Sequence, residues 1–327
     1  MISPEASAIK LIEEFDVRAQ QFPGPIPWSV QLGRSESSFT VVFGLAIHGN
    51  EIGSIPAALS VIDDLSEDSN ALNARYIFVL GNPAAVRAGT RFIDRDLNRC
   101  FNLTDSNSLE GSRSIEIAEA LKLADVFIDY HQTNQPCLHP FFTFAYQEDS
   151  YCWAAYMKAA NDFVTRDIRV AFSQEGTCCD EWVRMRGKPA VTLELGQAGL
   201  RPDAHHTTLS SMQRITGFVE NELAENRIPQ PPRPDTDLNF FHTKVKLPWP
   251  GDDAQLHDGL ENFQQVLENQ ELGFTKPGVP LVSPADGYIM FPKYPKRDTE
   301  GRPIQPQSGD ILHIIAPLTQ HPRELWG

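Results

Sequence analysis

Phe39-Thr40-Val41-Val42-Phe43-Gly44-Leu45-Ala46-Ile47-His48-Gly49-Asn50-Glu51 is the stretch on which the reading of the chain turns. A run of apolar, β-branched and aromatic residues stops at a histidine, and Ile52, Ile55, Leu59 and Ile62 then recur at helical spacing. That succession predicts a buried strand, a polar loop and an amphipathic helix. The pattern returns further along. Arg75 to Leu80 is a short β-rich run, Ile115 to Leu123 is spaced as a helix, and Asp125 to Tyr130 is an apolar strand ending at His131. Ala190 to Leu195 supplies another buried strand, which carries Glu194, and Thr208 to Glu225 reads as a helix. Strands alternating with helices predict an α/β fold with a mixed, largely parallel sheet flanked by helices.

The composition changes at Ile228-Pro229-Gln230-Pro231-Pro232-Arg233-Pro234, where prolines rule out a continuing helix and favour a semi-rigid linker. A catalytic domain is therefore expected over residues 1–228, a linker over 229–236 and a smaller all-β domain over 237–327. In that last region His242 to Leu247, Val279 to Val282, Gly287 to Phe291 and Ile311 to Ile315 are short, β-branched or aromatic runs separated by Gly, Pro and Asp.

The chain has 327 residues, of which 41% are hydrophobic and 22% charged, so it can bury a substantial core. With 28 Lys and Arg against 43 Asp and Glu, its formal charge of −15 repels phosphate backbones and anionic headgroups. Nucleic acid and membrane are not expected partners. An acidic substrate would need local arginines to overcome the global field. The N-terminus has several acidic residues and no basic start leading into an apolar run, and no stretch approaches the roughly 18 apolar residues of a membrane span. A cytoplasmic location is expected. The five cysteines, Cys100, Cys137, Cys152, Cys178 and Cys179, form an odd set better suited to free thiols than to a disulfide framework.

Polar side chains sit where the apolar strands end: His48 and Glu51, then Asp129 and His131, then Glu194. In open α/β sheets ligands bind at the carboxyl ends of strands, so these groups can converge on one crevice. Two histidines and a glutamate make a three-ligand zinc set that leaves a coordination position open, as catalysis requires. Glu194 lies inside Val191-Thr192-Leu193-Glu194-Leu195-Gly196, and a carboxylate in a buried strand is costly without a partner, a metal or a task. It is the candidate general base for a water activated by the metal. The segment from Arg91 to Phe101 packs arginines, aspartates and asparagines around few apolar anchors. Its arginines suit bidentate carboxylate recognition or the charge of a developing oxyanion, and equally a solvated loop laced with ion pairs.

Taken together, His48-Gly49-Asn50-Glu51, Asn82-Pro83, Arg91, Asp96-Leu97-Asn98-Arg99-x-Phe101, Asp129-x-His131 and Leu193-Glu194-Leu195-Gly196 resemble, in order and approximate spacing, the succinylglutamate desuccinylase/aspartoacylase family of the zinc carboxypeptidase-like superfamily. The resemblance spans residues 38 to 225, with weaker local motifs in the β-rich region. It implies one zinc ion per chain held by His48, Glu51 and His131, Glu194 as general base, Arg91 on the oxyanion side, and Asn98 and Arg99 on the substrate α-carboxylate. It further implies an arginine ahead of the base for a second carboxylate, for which Arg184 and Arg186 are the candidates, and a tyrosine from the β region, for which Tyr288 stands. Asp129, two residues before His131, shares its strand face and can support it. The adjacent His205 and His206 read as surface residues.

The expected activity is zinc-dependent hydrolysis of the amide bond of a small N-acyl amino acid. A peptide-cleaving zinc carboxypeptidase and a catalytically silent binding or regulatory member of the fold are the rivals, and presence of all three ligands and the base speaks against the silent one. The acyl group, the amino acid and assembly into a homo-oligomer are left open by the sequence.

Overall fold

A computed structural model describes residues 4–102, 106–295, 297–300 and 309–326. Its strands are β1 (Ser29–Leu32), β2 (Thr40–Leu45), β3 (Arg75–Leu80), β4 (Val126–Thr133), β5 (Phe141–Ala145), β6 (Asp162–Arg166), β7 (Ala190–Gln197), β8 (Asn239–Pro248), β9 (Gln255–Leu256), β10 (Gln265–Val266), β11 (Glu271–Lys276), β12 (Val279–Val282), β13 (Gly287–Met290) and β14 (Asp310–Pro317). The helices are α1 (Pro4–Gln21), α2 (Ile55–Ser66), α3 (Pro83–Ala88), α4 (Leu109–Leu121), α5 (Glu148–Met157), α6 (Cys179–Arg184), α7 (Pro202–Ala224) and α8 (Pro322–Trp326).

The strand, loop and helix expected from residue 39 onward are β2, the His48 loop and α2. The helix begins only at Ile55, so Ile52 lies in the loop. Eleven strands form one mixed sheet in the order β1-β3-β2-β4-β7-β5-β6-β8-β14-β13-β10. Its centre, β3-β2-β4-β7, is parallel, and β5 then joins β7 antiparallel. The strand β8 pairs parallel with β6, and the antiparallel β14, β13 and β10 follow it. A three-stranded sheet, β12-β11-β9, completes a smaller antiparallel β region at the C-terminal end. No helix among the described residues is long and apolar enough to cross a membrane. All five cysteines are free.

Both faces of the central strands are covered, which is why they read as unbroken apolar runs rather than alternating ones. On one face Phe43, Leu45, Ile128, Tyr130, Leu193 and Leu195 pack under α1, α2, α5 and α7. On the other, Val42, Ile77, Val79, Phe127 and Ala190 pack under α4 and α6. Phe43 is fully buried and stacks on Phe78 with ring centroids 5.1 Å apart. Phe43→Ala is expected to cost about 3–5 kcal/mol, because the transfer loss is joined by a cavity that a sheet packed on both sides cannot close. Denaturant unfolding checks this, and a loss below about 1 kcal/mol, the scale of volume-conserving swaps, would mean that the site collapses freely.

The second face is also the one that carries the site. Along β4 the residues Phe127, Asp129 and His131 share a side, as do Ala190, Thr192 and Glu194 along β7. Each strand thus turns from apolar to ionisable as it leaves the shelter of α4 and α6. The register pairs His131 with Glu194, so the two side chains emerge next to each other.

Candidate active site

His48 and Glu51 come from the loop after β2. Ala46 adopts a left-handed backbone (φ +47°), a conformation uncommon for a residue with a Cβ, and turns the chain out of the strand. The loop is then tied down by Asn82 N–H donating to Ala46 C=O and Gly49 N–H donating to Arg91 C=O, at 3.0 and 2.9 Å. His48 and Glu51 end nearly inaccessible to solvent. The second tether also joins the His48 loop to the segment that carries Arg91.

The donor atoms of His48, Glu51 and His131 lie within 4.8 Å of one another. His48 Nδ1 is 2.8 Å from Glu51 Oε1, and His131 Nδ1 is 2.9 Å from Glu51 Oε2. The opposite nitrogens face carboxylates as well: His48 Nε2 is 3.0 Å from Asp96 Oδ1, and His131 Nε2 is 2.7 Å from Asp129 Oδ2. Each ring therefore meets an acceptor at both nitrogens, whereas a neutral imidazole has a single N–H to give. His48 Nδ1 is buried with no hydrogen-bond partner despite its closeness to Glu51. A divalent cation held by His48, Glu51 and His131 would resolve the conflict at His131, leaving its Nε2–H to Asp129, as is usual for metal-bound histidines. Two imidazoles and one carboxylate with a position to spare suit a catalytic ion. The residues present fit a metal.

The charges are arranged accordingly. Burial works against the Glu51 charge, but His48 and His131 override it and hold the carboxyl well below the usual range. Burial would likewise lower the His131 pKa, and Asp129 and Glu51 raise it above the ordinary imidazole value. Glu194 behaves oppositely. Burial pushes its carboxyl up to about 8, against the pull of His131 and Arg91 and with Glu51 and Asp129 adding to the rise. Its Oε2 is buried without a partner. A carboxyl raised toward neutrality is matched to proton transfer near neutral pH, the property a general base needs.

Arg91 reaches into the same cluster, with Nη1 donating to Glu51 Oε1 at 2.9 Å and Nη2 lying 2.8 Å from His48 Nε2. Asn98 and Arg99 sit on a short 3-10 turn whose entry is capped by Asp96 Oδ1 accepting from Asn98 N–H. The Asn98 side-chain oxygen accepts from the Cys179 N–H at 2.9 Å, and Arg99 Nη1 donates to Asn98 C=O and to Cys178 Sγ. Gly176 makes room for this turn, since a Cβ there would stand 1.9 Å from Arg99 C=O. His48, Glu51, Arg91, Asn98, Arg99, His131 and Glu194 open onto one cleft of about 910 Å³, within the range of small-molecule sites.

Other residues singled out in the sequence lie elsewhere. Arg184 is buried in α6 and donates to Asp180 Oδ2 at 2.5 Å, and it is Asp180 that faces the cleft. Arg186 lies over the Trp182 ring, 3.2 Å from its centroid. Tyr288 packs edge-on against Phe241 on β8. None of the three lines the cleft. In their place the C-terminal β region contributes Lys246, Phe291, Lys293 and His313 to its wall, and Arg166 comes from the end of β6. The i, i+4 spacing of Asp180 and Arg184 is the sequence signal that marks an internal ion pair. His205 is half-buried and His206 exposed on α7, away from the cleft lining.

Comparison with known proteins finds relatives of the whole fold. Residues 39–220 match the succinylglutamate desuccinylase/aspartoacylase catalytic domain. The succinylglutamate desuccinylase of Pseudomonas aeruginosa is 31% identical over 280 residues, 80% of this chain and 82% of that protein. Its counterpart in Serratia proteamaculans is 28% identical over 268 residues, 77% of this chain and 79% of its own. The crystal structure of succinylglutamate desuccinylase from Vibrio parahaemolyticus superposes with a TM-score of 0.65 at 15% identity, covering 90% of this chain and 87% of that one, and so shares the fold.

Proposed function

This chain belongs to the succinylglutamate desuccinylase/aspartoacylase family, and from that premise we propose that it hydrolyses the amide bond of a small N-acyl amino acid with the help of one zinc ion. The observation that carries the reading is the meeting, in one cleft, of two imidazole Nδ1 atoms on Glu51 with Glu194 in register beside His131. His48, Glu51 and His131 would hold the ion, which when bound polarises a scissile carbonyl and makes water a better nucleophile near neutral pH. Their imidazole and carboxylate donors suit zinc, although metal availability also decides occupancy.

The remaining steps belong to the side chains. Asn98 and Arg99 receive the α-carboxylate of the amino-acid half, the guanidinium supplying planar, charge-assisted hydrogen bonds. Arg91 stands beside the ligand cluster, where its charge stabilises the oxyanion as the carbonyl becomes tetrahedral. Glu194 takes the proton of the attacking water and returns it to the departing nitrogen, so that the amine leaves neutral. With Arg184 spent on Asp180 and Arg166 on Glu181, an acidic acyl group or side chain would have to find its charge partner among other cations of the wall such as Arg95, Lys246 and Lys293.

A panel of N-acetyl and N-succinyl amino acids assayed beside short peptides tests the proposal. Cleavage of at least one N-acyl amino acid with a higher kcat/KM than any peptide is expected. Preferential peptide cleavage would replace the deacylase with a carboxypeptidase. Absence of both zinc and turnover after zinc is supplied would favour a silent member of the fold.

A further inference from the structure

Cys179, at the start of α6, has no part in the steps above, yet it touches the supports of the metal cluster and of the carboxylate-binding turn. It is fully buried. Its thiol donates to Asp129 Oδ2 at 2.8 Å, and the same oxygen lies 2.7 Å from His131 Nε2. Asp129 is itself completely buried, and its other oxygen, Oδ1, has no hydrogen-bond partner. That oxygen is pressed against β2, where a Cβ on Gly44 would stand 2.7 Å from it. Among the described residues, then, the hydrogen bonds of the Asp129 side chain come from one imidazole and one thiol. A buried carboxylate left with a single donor is costly and free to turn away from it.

We infer that Cys179 is a positioning residue: its S–H pins the Asp129 carboxylate so that Oδ2 meets the Nε2–H of His131 and the His131 Nδ1 stays aimed at the metal. The inference rests on His48, Glu51 and His131 being the metal ligands. A thiol suits the place because burial, with Asp129 and Asp180 close by, holds Cys179 well above the ordinary thiol range and so keeps it a donor. The main chain of the same residue does a second job, its N–H holding the Asn98 side chain, and a change of side chain leaves that bond in place. Cys179 thereby links the orientation of a metal ligand to that of a group on the substrate carboxylate. The Sγ of Cys179, an Asp129 oxygen and a His131 nitrogen also lie within 4.8 Å of one another, so the rival is a second, sealed metal site that shares His131.

Zinc affinity, measured by chelator competition on the full chain, separates these readings without recourse to activity. Cys179→Ala is expected to bind zinc up to about 10-fold more weakly than the wild type, the lower end of the cost of losing a ligand's own outer hydrogen bond, because Asp129 stays in place and is only less firmly held. Cys179→Ser, which restores a donor, is expected to return most of that affinity, and KM should change little in either variant because the Cys179 N–H persists. Should the alanine variant fail to fold, Cys179→Val fills the volume without a donor and carries the same expectation. Wild-type affinity in the alanine or valine variant would overturn the inference. So would a serine variant as weak as alanine, which would make the effect one of packing, and so would two zinc ions per wild-type chain. If the wild type itself binds no zinc, the metal-site reading fails and the role of Cys179 falls with it, whereas zinc bound equally well by wild type and variants overturns the role of Cys179 alone.

Discussion

Glu194→Gln is expected to keep its zinc and lose about 10²–10⁴-fold in kcat, the range that a positioned general base supplies. Glutamine preserves the volume of the side chain and its place in β7, so the register with His131 and the packing of Ala190 under α6 are left alone. What it removes is the capacity to take a proton. Zinc should stay because the carboxylate of Glu194 is not among the three donors that converge: the two Nδ1 atoms meet Glu51, and Glu194 stands beside them with an unpartnered Oε2. Metal analysis and turnover on the same preparation give the two readouts. A variant that sheds zinc would make Glu194 a ligand, and one that retains most of its kcat would move the base elsewhere.

His131→Ala should produce the opposite pattern, with zinc binding lost first and turnover falling with it. The substitution deletes one of the three proposed ligands, and it also strands two neighbours. Asp129 keeps only the Cys179 thiol, and Glu51 Oε2 keeps the Gln132 N–H but loses the ring at 2.9 Å. Removing one partner of a buried charged pair costs about 3–5 kcal/mol, so the metal-free variant should also unfold at lower denaturant than the metal-free wild type. Zinc titration and denaturant unfolding of the metal-free proteins check both halves. Undiminished zinc affinity would remove His131 from the ligand set, and undiminished stability would mean that Asp129 is satisfied by something other than the ring.

Much of this arrangement is legible in the residues themselves, for a physical reason. A strand buried on both faces admits only apolar side chains, so Asp129, His131 and Glu194 stand out against Phe127, Ile128, Val191 and Leu193, and the two-residue period puts Asp129 with His131. The segment from β5 to α6 is harder to read. Helix α5 buries Ser150, Tyr151, Cys152, Trp153, Ala154 and Met157, so it lacks the polar side from which helical periodicity is recognised. The antiparallel entry of β5 beside β7 depends on a crossover that no local pattern encodes. The cleft wall fares likewise. Tyr288 points at Phe241 while Phe291 and Lys293, a few residues on, face the cleft, and that choice follows from β13 lying next to β14. Arg184 is drawn inward by Asp180, one helical turn earlier, which makes it a partner of the fold.

The way β8 enters the sheet bears on how substrate gets in. It is laddered to β6 from Asp162 with Asn239 to Thr165 with His242, and on its other side to β14 from Phe241 with Pro317 to Pro248 with Asp310. Phe141, Val164, Phe263, Met290 and Ile315 seal the same seam with apolar contacts. Swinging the wall that carries Lys246, Lys293 and His313 away from Glu194 would break those ladder bonds and open that seam to water. That wall of the cleft is therefore anchored to the main sheet. Admitting a larger molecule by moving that wall would cost ladder bonds and apolar contacts.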